Sequence, residues 1–559
     1  MAKISNLRRY AGAGVILSAL AMSVGWGIRG DYGHEAGAMI PGALLGLAIC
    51  LASGRADWWR RSTIMAMCGA IGWAFGGQIS YGQITGYTAC SSLLDVTYGY
   101  GCLFLIGGLW AGIGSAILTL SVTQPRSYLE RFAGPLVVFW LVRVFMDLTG
   151  LTAWMVQIWY ANDTDWFAAL SALLVAGIYA LLVPRARPAC ALIAALAGGW
   201  WAGYLILTCL LGLHMTPPRS DNWAGCVGLF AALLAYLYKQ KDHAAFALAL
   251  YGFLAGGIGF AAGDFVNMLG RAQWGPIGHY ELLQGLDYWK WMEQLFGLIM
   301  GLGVGLAFLR VARPSWPWTH GLEARATIRL TPAGEDQNTR NLNTVGLLFL
   351  LLVMMWSNLS KNVRNWSKGQ HIPEQLFGIG TEWWFLLVAV CLSAMVVIAI
   401  VRYRRQSLPL APSSSFGRAQ LLFMMLLWIP IIGALLQAFP GMASKGVFFV
   451  HTTFWITGGI CSIIVLSLSG QAGPLAASEL PASLPRAKSR GLPPGLACRS
   501  FRGQFPRQGS GQAWKPGLKY WVALLLAPLF VLLLAYLTVA SHKEPLFGSH
   551  LRFMRTNHR

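Results

Sequence analysis

The feature that most constrains this chain is a succession of about fifteen apolar stretches of some 17 to 25 residues, each long enough to cross ~30 Å of hydrocarbon as a helix. In lipid the backbone must satisfy its own hydrogen bonds, so such stretches fold as helices and gather into a bundle. They fall near residues 10–28, 36–53, 63–79, 98–121, 132–150, 166–184, 189–213, 222–238, 244–264, 291–309, 341–357, 383–402, 419–438, 447–469 and 520–540. Only 11% of the 559 residues are charged and 56% are hydrophobic, against roughly 25% charged in a soluble domain. A soluble enzyme is excluded, and the fold class expected is an all-α polytopic membrane protein of about 15 transmembrane helices. The 65 glycines and 25 tryptophans fit, since small residues let membrane helices approach closely and indoles favour the interface.

Loop charge sets the orientation. Lys3, Arg8 and Arg9 precede the first stretch, and Arg55, Arg60, Arg61, Arg126, Arg131, Arg185, Arg187, Lys239, Lys241, Arg310, Arg313, Arg402, Arg404 and Arg405 follow even-numbered ones. The loops at 80–97 and 148–165 hold no Lys or Arg and only Asp95, Asp163 and Asp165. Basic loops face the cytoplasm, so the amino terminus is expected inside and, with an odd number of spans, the carboxyl terminus outside, in a bacterial-type inner membrane. The 358–382 loop, with Lys361, Arg364 and Lys368, is assigned outside against the rule because inverting it would break its neighbours. The net charge of +21 is then a consequence of topology and of contact with anionic lipid, and implies no nucleic-acid partner.

A glycine-aromatic pattern recurs near the outer ends of four inside-to-outside stretches: Gly25-Trp26 with Gly30, Gly72-Trp73 with Gly76, Gly199-Trp200 with Gly203, and Gly259-Phe260 with Gly263. With the likeness of Asp165-Trp166-Phe167 to Glu382-Trp383-Trp384, it suggests two parallel six-helix repeats plus three accessory helices. The expected divisions are 1–188 and 189–418 for the halves, 419–470 for an accessory helix pair, 471–519 for a basic, Pro- and Gly-rich disordered cytoplasmic linker, and 520–559 for the last helix and an external tail. The glycines serve close packing, or unwind to expose backbone to a polar cavity.

The richest polar motif follows the first stretch, where Arg29, Asp31, His34 and Glu35 crowd a turn of about seven residues at the outer boundary. If the second helix begins near residue 33, these acids lie at a helix amino terminus, where the macrodipole favours carboxylates and bound anions. Gln78, Tyr81, Gln83, Asp264, Asn267, Arg271, His279, Glu281, Glu293 and His451 map to the same side. Arg143 and Asp147 stand four residues apart on the face of one helix, and ionisable groups at that depth default to a functional role; a self-contained intrahelical pair is the alternative.

No Walker A, Rossmann or nucleophile-elbow pattern occurs in a convincing setting, and no H-x-x-x-H or H-E-x-x-H spacing supports a metal; no cofactor is assigned. The ten cysteines show no C-x-x-C spacing, and only Cys90 and Cys102, both toward the outer face, are placed to pair. The reading that follows is a permease for a small polar or anionic solute, partnered by the lipid bilayer. Its outward-facing cavity is lined by Arg29, Asp31, His34, Glu35, Gln78, Arg143, Asp147, Asp264, Asn267 and Glu293. The alternative is a membrane-embedded transferase on a lipid-linked substrate at the outer face, with Asp31, His34 and Glu35 as the catalytic groups.

Overall fold

A computed structural model describes residues 2–553 apart from 54–55, 60, 159–164, 217–220, 313–336, most of 356–373 and of 382–417, 439–440, 469–516 and 543. The linker at 471–516, the basic residues of the 358–382 loop and most of the expected span at 383–402 lie outside the described residues.

The described chain is nearly all helical, and ten of its helices are long and apolar enough to cross a membrane. It is a multi-pass membrane protein by that measure. The helices are α1 (Ala2–Arg29), α2 (Glu35–Ala52), α3 (Ser62–Gly77), the short α4 (Ile84–Thr88), α5 (Leu93–Thr123), α6 (Arg126–Leu148), α7 (Asp165–Leu182), α8 (Arg187–Gly203), α9 (Asn222–Lys239), α10 (His243–Arg271), α11 (Tyr288–Ala312), α12 (Gln337–Leu348), α13 (Arg418–Ala438), α14 (Lys445–Ser467) and α15 (Leu518–Ser541). The one sheet among the described residues is a two-stranded hairpin, Gln375–Leu376 against Ile379–Gly380. Its two turn residues, Phe377 and Gly378, both have positive φ, the geometry that matches strand twist in a two-residue hairpin.

Six helices close a ring in the order α1, α2, α3, α5, α10, α11 and back to α1. Each neighbour in that circuit is reached through a glycine seam: Gly25 against Pro41, Gly42 against Gly69, Gly72 against Gly114, Gly107 against Gly256, Gly263 against Met292, and Gly297 against Met22. At Gly42–Gly69 and Gly107–Gly256 a Cβ on either residue would collide with the carbonyl of the other, so only glycine admits this approach. Four rings, Trp26, Trp110, Phe260 and Phe296 from α1, α5, α10 and α11, stack around the axis at centroid distances of 4.7, 5.5, 4.5 and 4.7 Å. All four are almost fully buried, each contributing roughly 1.5–3 kcal/mol of burial. They form an apolar floor across the ring.

The ring draws helices from both sides of the expected boundary at residue 188. Around it, α6, α7, α8 and α9 form a lateral group in which α8 meets α9 at Gly199–Gly228 and α9 touches α5. The pair α13 and α14 packs on α1 and α2, and α15 lies on α5 and α10. Away from the Gly-aromatic ends, Arg61 donates to the Ser121 and Gln124 carbonyls at 2.8 Å each, and Asp242 accepts from Thr123 at 2.7 Å and Gln124 at 2.6 Å.

Candidate functional site

The site is built on the end of α1. The helix stops at Arg29, a single 3-10 turn over Gly30–Tyr32 follows, and Gly33, at φ 94°, reverses the chain into α2. A side chain disfavours that φ, so the glycine keeps the hairpin to a few residues. Tyr32 anchors the turn by donating to the Pro430 carbonyl at 2.6 Å.

This short turn leaves Arg29 facing inward above the aromatic floor. Its guanidinium lies over the rings of Trp110, Trp26 and Tyr81 at 5.0, 5.2 and 5.6 Å. Desolvated contacts of this kind contribute up to ~2 kcal/mol, which offsets part of the cost of burying a charge that is only 2% exposed. Arg29 also donates to the Tyr81 hydroxyl at 3.4 Å and approaches His34 Nδ1 at 3.5 Å.

Tyr81 carries the network onward, donating to Glu293 Oε1 at 2.5 Å. Burial, reinforced by the Glu293 charge, holds the Tyr81 phenol well above its ordinary range, so it remains a proton donor. One turn before Glu293 on α11, Lys290 donates to Asp31 Oδ1 at 2.8 Å and to the Gly27 carbonyl at 3.0 Å. Its Nζ lies 3.8 Å from Glu293 Oε2. Two cations, Arg29 and Lys290, thus face two carboxylates, Asp31 and Glu293, and the formal charge of the group is zero. Glu293 Oε2 and Arg29 Nε are buried and find no hydrogen-bond partner among the described residues. His451, on α14, flanks the group with its Nδ1 likewise unbonded.

A second polar node lies behind Tyr81. Asp264, fully buried on α10, accepts from Thr88 at 2.6 Å and from Asn267 at 3.1 Å. Thr88 ends α4, whose first turn begins on the Tyr81 carbonyl. The two nodes are therefore joined by one short stretch of backbone.

His34 and Glu35 are exposed at the start of α2, with His34 at the edge of the Arg29 group, and the remaining expected residues fall elsewhere. Gln78 turns toward α9: its backbone carbonyl accepts from Asn222 at 3.3 Å and its side chain from the Cys226 thiol. Arg143 and Asp147 do not join the ring. They lie 3.9 Å apart on α6, with Asp147 59% exposed and accepting from Thr152 at 2.8 Å. Their helix packs on α7, α8 and α12. Cys90 and Cys102, whose pairing the sequence leaves open, are both free thiols, and Cys90 donates to the His550 carbonyl at 2.7 Å.

Lys290 was missed in the sequence, although it carried a signal, an i, i+3 spacing to Glu293 at the head of an apolar helix. Tyr81 was placed on the right side of the membrane but not among the binding residues, because its bond to Glu293 depends on the closure of the ring. Among the described residues no three His, Cys, Asp or Glu side chains gather at metal-ligand spacing. Compared with known protein families, with curated proteins and with solved structures, the chain matches none.

Proposed function

We propose that this protein is a permease for a small polar or anionic solute, and that the charge-balanced group of Arg29, Tyr81, Glu293, Lys290 and Asp31 is its binding site. The observation that carries the reading is a group of two cations and two carboxylates at one end of a closed helix ring, with Arg29 and Glu293 buried and the half-buried Lys290 lying 2.8 Å from Asp31 and 3.8 Å from Glu293. Breaking a buried pair by removing one partner costs roughly 3–5 kcal/mol, whereas apolar replacement of the whole pair is often neutral. A group of this kind in a membrane helix bundle therefore points to function more than to stability. Arg29 offers a planar fork and Lys290 a point charge to a solute carboxylate or phosphate. Asp31 and Glu293 keep the cations neutralised when no solute is bound.

The transferase reading has less support, because a general base must be free to take a proton and Asp31 is held by Lys290 at 2.8 Å. The finer features belong to the proposal as well: an inner-membrane setting, a cytoplasmic amino terminus with the site facing outward, about fifteen spans, and a likeness between two six-helix halves. Loop charge supports the orientation. His34, Glu35, Asp264 and Asn267 are assigned to the rim and the second node, and Gln78, Arg143 and Asp147 are left outside the binding site.

The test is uptake by proteoliposomes from a defined mixture of small organic and inorganic anions, read by mass spectrometry. The wild-type protein should accumulate at least one of them, and Lys290→Met and Glu293→Gln should abolish that uptake while inserting normally. Equal uptake by these variants would end the assignment.

A further inference from the structure

The chain beyond α15 does not trail away from the bundle. It lies as a strap, residues 544–553, along α4 and the start of α5, at the end of the bundle that holds the charged group. Leu546 N–H donates to the Ala89 carbonyl and His550 N–H to the Gly86 carbonyl, both at 2.9 Å. The thiol of Cys90 donates to the His550 carbonyl. The amides of Arg552 and Phe553 both donate to Asp95 Oδ1, at 2.7 and 3.1 Å, and the Arg552 guanidinium lies 5.4 Å from the Tyr98 ring centroid. A fully buried carboxylate whose Oδ1 takes two amides from a segment more than 450 residues away is a built docking point, since Oδ2 has no hydrogen-bond partner among the described residues and loss of the strap would leave both oxygens unsatisfied, at further cost.

The stretch that the strap holds is the stretch that completes the site. Gly86, Ala89 and Cys90 receive the strap, Thr88 among them holds Asp264, and the Tyr81 carbonyl that starts the same short helix belongs to the residue bonded to Glu293. We propose that the carboxyl-terminal strap is a latch: docked, it fixes α4 and keeps Tyr81 closed over Glu293; released, it lets α4 move and opens the charged group to water from that face. The latch rests on the reading of that group as the binding site, but its behaviour is measurable without any transport assay.

The purified full-length protein in nanodiscs is treated with a maleimide and, separately, with a water-soluble carbodiimide plus glycine ethyl ester, and labelling at Cys90 and Glu293 is followed by mass spectrometry. Cys90 starts inert, because burial pushes its thiol up to about 11 and the strap covers it. Two variants displace the strap: a stop after Ser541, and Gly86→Val in the full chain, where a Cβ would collide with the His550 ring. In both, labelling should rise at least about tenfold at Cys90 and also rise at Glu293. A synthetic peptide of residues 542–559, added to the truncated protein, should reverse both. If Cys90 labelling rises and Glu293 labelling does not, the strap is a passive cover and the latch is overturned; if neither rises in the correctly folded Gly86→Val protein, the strap does not govern this face. Should the truncated chain fail to fold, Gly86→Val decides alone. Loss of solute uptake with the labelling pattern as expected, or the reverse, separates the permease reading from the latch.

Discussion

Tyr81 donates its hydroxyl proton to Glu293 across 212 residues of sequence, and this bond ties the segment leaving α3 to the first turns of α11. Tyr81 also stacks on Trp289 at 5.6 Å and meets Phe260 edge-on at 4.9 Å. With Trp110 also edge-on to it at 5.8 Å, the ring is fixed from three sides while its hydroxyl spans the gap between the Arg29 and Glu293 charges. Geometry of this kind holds a proton donor between a cation and a carboxylate.

Tyr81→Phe removes the donor and leaves Glu293 Oε1 unsatisfied, a loss of about 1–3 kcal/mol. Lys290→Met removes the cation between the buried Glu293 and the half-buried Asp31 and should cost more, up to about 3–5 kcal/mol. The double variant Lys290→Met with Glu293→Met should recover part of that loss, since the uncompensated charge goes with it. Thermal unfolding in detergent, followed by tryptophan fluorescence, ranks the three; a Lys290→Met protein as stable as wild type contradicts the assignment of a coupled group.

Arg143→Ala and Asp147→Ala should each change stability by less than about 1 kcal/mol, as for i, i+4 pairs with at least one partner in solvent. Both should retain uptake. Asp147 is largely exposed and its partner is 3.9 Å away on the same helix, so little is lost with either side chain. A null uptake phenotype for these variants, with normal insertion, would place the lateral helices in the transport path.

The glycine seam makes a sharper contrast. Gly107→Ala and Gly256→Ala each drive a methyl into the opposing carbonyl, where the backbones cannot separate without disturbing α5 or α10; overpacking of this sort costs about 1–3 kcal/mol. Gly101, on the same helix as Gly107, has open space where its Cβ would be. Gly101→Ala should be neutral or stabilising, by up to ~1 kcal/mol from helix propensity. Matched melts of the three variants test whether the ring closes through these residues, and equal destabilisation of all three would argue that it does not.

Part of this arrangement was legible in the sequence and part was not. Arg29 and Asp31 were marked by their confinement to a turn too short to leave the membrane boundary, and Glu293 by an acid inside an apolar run. Each helix bearing the glycine-aromatic pattern, α1, α3, α8 and α10, packs on the next long helix, α2, α5, α9 and α11; local spacing signals a hairpin well. The return of α11 to α1 was invisible, because it depends on contacts such as Gly297 with Met22, and no periodicity encodes a closure over that separation. For the same reason Arg143–Asp147 and Lys290–Glu293 looked alike: both are close pairs on apolar helices, and only the surrounding packing distinguishes a lateral pair from one enclosed by a ring. The strap was missed because its docking uses backbone amides, which any short polar tail possesses.

The strap also carries a pH dependence. His542 stands at its root, its Nδ1 3.0 Å from the Glu544 carbonyl and its Nε2 buried without a hydrogen-bond partner among the described residues. Burial lowers its pKa below the ordinary histidine value of 6.5, and the nearby Arg271 charge lowers it further, while the Glu544 carbonyl works in the other direction. The docked form therefore prefers neutral imidazole. Its contribution to docking is fully present above pH 6.5, where free and docked forms are both neutral, and is lost as the pH falls through the lowered value, because the undocked form takes up a proton first. Acidification toward pH 5 should then raise maleimide labelling of Cys90 once corrected for thiolate fraction, measured with a fluorescent maleimide at fixed ionic strength. His542→Gln, which keeps a hydrogen-bonding side chain and cannot titrate, should flatten the corrected profile. A wild-type profile that stays flat across this window, or a His542→Gln profile that still rises in acid, would assign strap release to other groups.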